Sequence, residues 1–360
     1  MKIRRLYHLL PAFVLFSLPL EAQNTAGSIS LDHYRPVSIY HIPVTEINKA
    51  GLPVIDAHSH DYAASQAEIR NWVRTMDSLG IEKTVILSMQ TGAGFDSVVE
   101  KYSAFPGRFD LWCGFDYTGY DTDPGWVAHA IAELERCHAL GAKGVGELGD
   151  KGDGLLYSKP VAAYGLHIND PQLRPLLEKC GELGMPVNIH VAEPYWMYEP
   201  ADSTNDGLMN AIDWKVDMSR EGKLNHEQLV ATLEDAVKNN PGTTFIACHF
   251  ANCSYDLEVI GRLLDRYPNL YVDNAARYAE TATIPRYMKN FYKRYQNRIL
   301  YGTDMGMDPA MYRATFRILE TADEHFYLTW LTNYHWASNG FDLPASVLKK
   351  IYKTNAEKLF

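Results

Sequence analysis

The chain is poor in cysteine, and what it has is badly spaced for a staple. Cys113, Cys137, Cys180, Cys248 and Cys253 are an odd five in 360 residues, with no short paired spacing. That excludes a disulfide framework and a structural zinc set built from paired cysteines. Cys248 sits inside an apolar run and reads as a small core residue. No Gly-x-Gly-x-x-Gly follows the first apolar segment, so a doubly wound dinucleotide fold lacks its fingerprint. No long basic run occurs and the net charge is -10, which argues against nucleic acid as a partner. Internal repeats and low-complexity tracts are absent too.

What is present is an ordinary globular composition, 46% hydrophobic and 22% charged, in a chain long enough for two average domains or one large α/β barrel. Tyrosine and tryptophan are plentiful, at 23 and 7, which suits both a core and a site that stacks on flat or sugar-like rings. Residues 1–22 read as a signal peptide: Lys2, Arg4 and Arg5 precede the apolar run Leu9 to Leu20, and small Ala22 precedes Gln23. The run is too short to span a bilayer. The expectation is a periplasmic or secreted protein with no stable membrane anchor. Residues 23–50, with Pro36 and Pro43, read as an N-terminal arm, and residues 51–360 as one domain.

Within that domain short apolar runs alternate with amphipathic segments. The strands are expected at Leu52–His58, Lys83–Met89, Phe109–Tyr117, Ala142–Leu148, Pro186–Ala192, Thr243–His249, Asn269–Asn274 and Arg298–Thr303. Helical spacing lies between them, as in Ser65–Leu79, Pro124–Leu140, Pro171–Leu183, His226–Asn239, Ser254–Tyr267, Thr283–Tyr295 and Pro309–Thr321. Long loops follow the fourth strand (Gly149–Asn169) and the fifth (Glu193–Leu224), and a terminal helix covers Pro344–Leu359. Eight strand–helix units in series predict a parallel sheet closed into a (β/α)8 TIM barrel.

In such a barrel the active site forms at the carboxyl ends of the strands, and the chemistry-bearing residues fall there. The first strand ends in Asp56-Ala57-His58-Ser59-His60, where period-two spacing brings the acid and both imidazoles to one face. Glu147 lies near the end of the fourth strand, His190 the fifth, His249 the sixth, and Asp304 follows the eighth. Singly, each has an ordinary reading: a packing histidine, a cap for the helix near Pro309, an ion-pair partner for Lys143 or Lys151. Four histidines and two carboxylates at one rim point together to a divalent metal centre. Asp56 reads as a supporting residue, and His33, His41, His129, His138 and His325 as surface or packing residues.

These residues resemble the amidohydrolase superfamily, carried by Asp-x-His-x-His on strand one, histidines on strands five and six, and Gly302-Thr303-Asp304 on strand eight. The chain is similar to the branch containing aminocarboxymuconate-semialdehyde decarboxylases, lactonases and hydratases, from about Pro53 onwards. The resemblance implies that His58, His60, His190 and Asp304 ligate zinc or another divalent ion, with His249 as a base or water-orienting group beside Asp304. Gly146-Glu147-Leu148-Gly149 departs from the one-metal pattern and is more like the two-metal deoxyribonucleases. There His58, His60 and Asp304 would hold one ion, His190 and His249 a second, and Glu147 would link them. One ion is favoured because strands six and eight read like the decarboxylase–lactonase branch.

Three histidines and a carboxylate leave a position for water, whose pKa a cation lowers. The leading expectation is an exported hydrolase of a small carbonyl compound, a lactone, ester or amide of sugar or aromatic origin. A non-oxidative decarboxylase or hydratase is the alternative. A two-metal phosphoesterase or nuclease and a non-catalytic carbohydrate-binding protein come after it. Tyr195, Trp196 and Tyr198, after strand five, are expected to stack on the substrate, and Arg277, after strand seven, to clamp a carboxylate unless Glu280 occupies it. The partner is a small molecule; homo-oligomerisation stays open.

Overall fold

The structure, a computed structural model, describes residues 29–30, 33–210, 218, 220–329, 331–332 and 334–360. The segment 1–22 read as a signal peptide lies outside the described residues, as do residues 211–217 of the second long loop. The chain divides into two compact units, Met1–Tyr34 and Arg35–Phe360, and the second carries the elements described next.

Among the described residues ten strands occur in chain order: β1 (Val54–Ser59), β2 (Ile81–Leu87), β3 (Phe109–Trp112), β4 (Val145–Asp150), β5 (Gly154–Leu155), β6 (Ala163–Tyr164), β7 (Val187–Val191), β8 (Phe245–Ala247), β9 (Leu270–Asp273) and β10 (Ile299–Leu300). Eight of them are the barrel. β1, β2 and β3 pair in parallel, as do β4, β7, β8, β9 and β10. Two seams join these arcs. Cys113 bridges to Val145 between β3 and β4. At the other seam the Ala57 N–H donates to the Tyr301 carbonyl (2.8 Å), and the Asp304 N–H to that of His58 (2.8 Å). β5 and β6 form a small antiparallel hairpin on the end of β4, inside the stretch expected to be a plain loop; two-residue strands leave no periodicity to read.

Helices fill the connections. α1 (Gln66–Leu79) starts where the Ser65 side chain accepts from the Glu68 N–H, buries Ile69, Trp72, Met76 and Leu79, and stops at Gly80, whose φ of 81° suits glycine. The helix His226–Asn239 opens on a reciprocal capping box between Asn225 and Gln228. The expected helix 254–267 shortens to Leu257–Arg266, because Asp256 rather than Ser254 caps it. Asp308, not Asp304, caps the helix Pro309–Glu320, which leaves Asp304 free for the site.

The core has two parts. A large shell lies between strands and helices, with Trp72, Trp126, Phe250 and Tyr301 fully buried. A smaller one fills the barrel interior: Ile55 and Ala57 of β1, Val85 and Leu87 of β2, Trp112, Ile246, Tyr271 and Leu300. Ala356 and Phe360 of the terminal helical segment cap this inner core, the Phe360 ring meeting Trp112 edge-on at 5.3 Å. Apolar side chains thus fill the barrel below the rim, and the polar groups gather at the carboxyl ends.

Candidate metal centre

The rim is built from bent strand ends. Met89, Ala192, His249, Ala276 and Asp304 follow or end barrel strands and all have left-handed backbone, φ between 53° and 63°. Left-handed conformations are uncommon away from glycine, and those observed concentrate where function holds them. Strand six was expected to run to His249. It stops at Ala247, because His249, Phe250, Ala251 and Asn252 turn left-handed in succession, with φ of 58°, 55°, 53° and 55°. The third and eighth strands likewise end early, at Trp112 and Leu300.

This geometry brings together six of the expected site residues: His58, His60, Glu147, His190, His249 and Asp304. Glu147 is central. Its Oε1 lies 2.6 Å from His190 Nδ1 and 3.7 Å from His249 Nε2; its Oε2 lies 3.2 Å from His60 Nε2 and 3.7 Å from His58 Nε2. Asp304 Oδ1 stands 3.1 Å from His60 Nε2 and 3.8 Å from His58 Nε2. One carboxylate oxygen of Glu147 therefore faces the His58–His60–Asp304 side and the other faces His190 and His249. Glu147 does not pair with Lys151, which binds Glu193 instead.

Three of the four imidazoles are oriented from behind. His58 Nδ1 meets Asp273 Oδ2 at 2.9 Å, His60 Nδ1 the Leu87 carbonyl at 3.0 Å, and His249 Nδ1 the Ala275 carbonyl at 2.8 Å. The Asp273 carboxylate also accepts from the His249 backbone N–H at 2.9 Å. Such outer contacts fix the ring and its tautomer, leaving the inner nitrogen for a metal. Behind His190 stands Glu193, its Oε2 3.7 Å from Nε2.

Close packing fixes the first motif. Gly302 has no room for a side chain: a Cβ there would fall 2.5 Å from that of His58. Asp56 does not converge with the two histidines. A register irregularity between Asp56 and Ser59 breaks the simple alternation of β1. The Asp56 carboxylate instead accepts from the Thr303 N–H (3.0 Å), the Thr303 hydroxyl (2.7 Å) and the Tyr312 hydroxyl (2.7 Å). Burial pushes its pKa up to about 6 against these bonds.

The electrostatics are those of a carboxylate-rich pocket. Burial pulls the histidines down, but Asp273 and Glu147 raise His58, and Asp304 and Glu147 carry His60 well above the ordinary imidazole range. His190 moves up to about 9, because Glu147 and Glu193 outweigh its burial. Glu147 is held well below the carboxylate range by His190, His249 and His60 despite burial that pushes it up. Asp304 is lowered in the same way, chiefly by His60. Of the four site histidines only His249 moves down, since burial dominates and His190 and Arg277 add like charge.

The donor set fits a divalent ion. His58 Nε2 is buried, has no hydrogen-bond partner and faces two carboxylates. The ligand atoms of His58, His60 and Asp304 lie within 4.8 Å of one another, as do those of His58, Glu147, Cys248 and His249. Cys248 is the poorest of these: burial pushes its thiol well up, and it donates to Asn188 Oδ1 at 2.9 Å.

A cavity of about 530 Å3 opens over the centre, lined by His60, Glu147, His190, His249 and Asp304 and walled by Lys151, Tyr157, Glu193 and Arg277. Arg277 lines this cavity. Its Nε donates to Asn252 Oδ1 at 2.9 Å and pairs with Glu280 Oε2 at 3.9 Å, the ordinary reading of this residue, and its Nη1 donates to the Ala276 carbonyl at 3.0 Å. Tyr195 and Trp196 do not line this cavity; they line a neighbouring one. Tyr198 accepts the Glu193 N–H at 3.2 Å through its hydroxyl. Sequence reasoning missed Lys151, Tyr157, Glu193 and Asn252. Glu193 had a readable signal, three residues beyond His190 on the same rim. Asn252 had none: it reaches back to the Val191 and Ala192 carbonyls only because of the left-handed turn. The described residues include no helix long and apolar enough to cross a membrane.

Comparison with known proteins agrees with this architecture. A family model described as Amidohydrolase matches residues 50–360. No curated protein matches the chain. Among solved structures, an uncharacterized TIM-barrel protein from Bordetella bronchiseptica is 18% identical, with a TM-score of 0.52, over 86% of this chain and 98% of its own. A 2,6-dihydroxybenzoate decarboxylase from Rhizobium is 16% identical, with a TM-score of 0.52 and the same coverage. A 5-carboxyvanillate decarboxylase from Novosphingobium aromaticivorans, complexed with manganese and 4-hydroxy-3-methoxy-5-nitrobenzoic acid, is 15% identical, with a TM-score of 0.51, over 88% of this chain and 99% of its own.

Proposed function

Because this chain belongs to the amidohydrolase family, we propose that its rim holds divalent metal and hydrolyses a small carbonyl compound, a lactone, ester or amide. One observation carries the reading: the two oxygens of Glu147 face two separate sets of ligand atoms. We therefore favour two ions over the single one expected from the sequence: His58, His60 and Asp304 would hold one, His190 and His249 the other, and Glu147 would contribute an oxygen to each side. Zinc and manganese both suit nitrogen–oxygen sets of this kind. Bound there, a divalent ion lowers the pKa of water towards neutrality and polarises a carbonyl.

The chain's own groups supply the rest. Asp304 is the least buried of the carboxylates at the centre, its side chain 29% exposed on the cavity side. It is the group placed to accept a proton from attacking water and return it to the leaving group. The Tyr62 hydroxyl donates to the Asp304 carbonyl at 2.5 Å and steadies that loop. Lys151, Tyr157 and Arg277 form the wall against which a substrate would be oriented.

Decarboxylation or hydration of a small acid is the second reading, favoured by Arg277 on that wall, whose planar guanidinium suits a carboxylate. A panel of lactones, esters, amides and aromatic acids, assayed for hydrolysis and for carbon dioxide, separates the two; an aryl phosphate in the same panel reports phosphoesterase activity. His190→Ala and Asp304→Ala should each abolish turnover while the circular dichroism spectrum is kept. Full activity in either variant would overturn the assignment, and carbon dioxide release without hydrolysis would replace it with the second reading. We further propose export: the amino terminus of protein recovered from outside the cytoplasm should begin near Gln23.

A further inference from the structure

The second cavity, about 570 Å3, lies beside the metal centre and is lined by four large rings, Tyr195, Trp196, Tyr255 and Trp336. The two cavities share a wall: Arg277 faces the first, Glu280 the second, and their side chains stand 3.9 Å apart. Glu193 lines the first and its neighbour Pro194 the second.

Local structure holds these rings in place. The turn Tyr195–Tyr198 follows Pro194 directly off the end of β7. Asn205 fastens the loop by donating to the Trp196 and Pro200 carbonyls, both at 3.0 Å. Gly207 leaves space for the Trp196 ring, which a Cβ would overlap. Trp336 is anchored by its indole N–H on the Ala279 carbonyl at 2.9 Å. Tyr195 and Tyr255 stack at 4.0 Å with an interplanar angle of 20°, yet Tyr255 remains 46% exposed.

From this arrangement we infer a binding site for a neutral sugar ring. A stacked pair has one face of each ring already covered, so the wall is flat rather than a closed box. That suits a flat ring and not a spherical quaternary cation, which needs rings on several sides. Glu199 and Asp206 line the same cavity, offering acceptors for hydroxyl groups that a plain aromatic hydrocarbon does not carry. Among the described lining residues none is Lys, Arg or His, so the charged groups they offer an anionic ligand, such as a uronic or aromatic acid, are all of like charge. A pyranose satisfies all three conditions, with its C–H face on the rings and its hydroxyls on the carboxylates. That this ring is part of the substrate cleaved at the metal centre rests on the hydrolase reading; the binding itself does not.

The test uses the full-length protein with methyl pyranosides as probes, read by saturation-transfer NMR and by tryptophan fluorescence. Binding is expected in metal-loaded and metal-stripped protein alike, which keeps this site separate from the fate of the hydrolase reading. Tyr255→Ala removes an exposed ring, and its affinity should fall roughly tenfold. Trp336→Phe keeps a ring and should retain binding, whereas Trp336→Ala should lose it, each with unchanged metal content. The inference is overturned if no pyranoside shows transfer, if Tyr255→Ala binds as tightly as the parent, or if tetramethylammonium or 4-hydroxybenzoate binds where pyranosides do not.

Discussion

Asp273 holds the ring of His58 from behind, Oδ2 to Nδ1 at 2.9 Å, with both side chains fully buried. The same carboxylate accepts the backbone N–H of His249, so one acid orients a ligand on each side of Glu147. Asp273→Asn keeps the shape and removes the charge. Metal affinity, measured by competition with a chromogenic chelator, should fall about 10- to 100-fold. A change within twofold would show that the contact does not tune the site.

Glu147→Gln tests the ion count. The substitution keeps hydrogen-bonding capacity and removes the charge shared by the two ligand sets. Elemental analysis of metal-loaded protein should give two ions per chain in the parent and one in the variant, the His58–His60–Asp304 side being retained. Two ions in the variant, or one in the parent, would remove the bridging role.

Proton linkage gives a pH prediction. His190 has its pKa raised to about 9 in the metal-free fold, against about 6.5 for an unfolded histidine. Its charged pairing with Glu147 thus stabilises the metal-free protein fully below the unfolded value and is lost as pH climbs through the folded one. His60 shifts in the same direction. The Tm of metal-free protein should fall between about pH 7 and about pH 10, and the fall should flatten once metal displaces the protons. Metal uptake near neutral pH should release protons, which calorimetry in buffers of different ionisation enthalpy detects. Equal slopes with and without metal would contradict the linkage.

Gly302→Ala tests the packing under the first motif. Its Cβ would come 2.5 Å from that of His58, and neither residue has slack. Destabilisation of about 1–3 kcal/mol is expected from overpacking, with metal lost before the fold. Wild-type Tm and metal content would show that the strand yields without moving His58.

Much of this was legible in the sequence because strands leave a two-residue trace and the chemistry sits at their ends. His58, His60, Glu147, His190, His249 and Asp304 each follow apolar residues, and each reached the rim. Asp56 shows the limit: the same periodicity put it with the histidines, but a register irregularity turned it to Thr303 and Tyr312. Loop residues were less legible. Tyr195 and Trp196 were aromatic enough to notice, yet only the turn after Pro194 and the Asn205 fastening decide which cavity they line. Lys151 and Tyr157 sit in a loop without period, and their place at the centre depends on the β5–β6 hairpin that no pattern announces.

The turn from His249 to Asn252 has a further consequence. Four successive residues hold the backbone handedness natural to D-amino acids, a conformation that costs an L-residue roughly 1–2 kcal/mol each. Position 251 carries only a methyl group, so a D-alanine placed there by chemical ligation would relax that opposition without adding an atom. One end of the barrel thus contains a short stretch of protein that mirror-image chemistry suits better than its own.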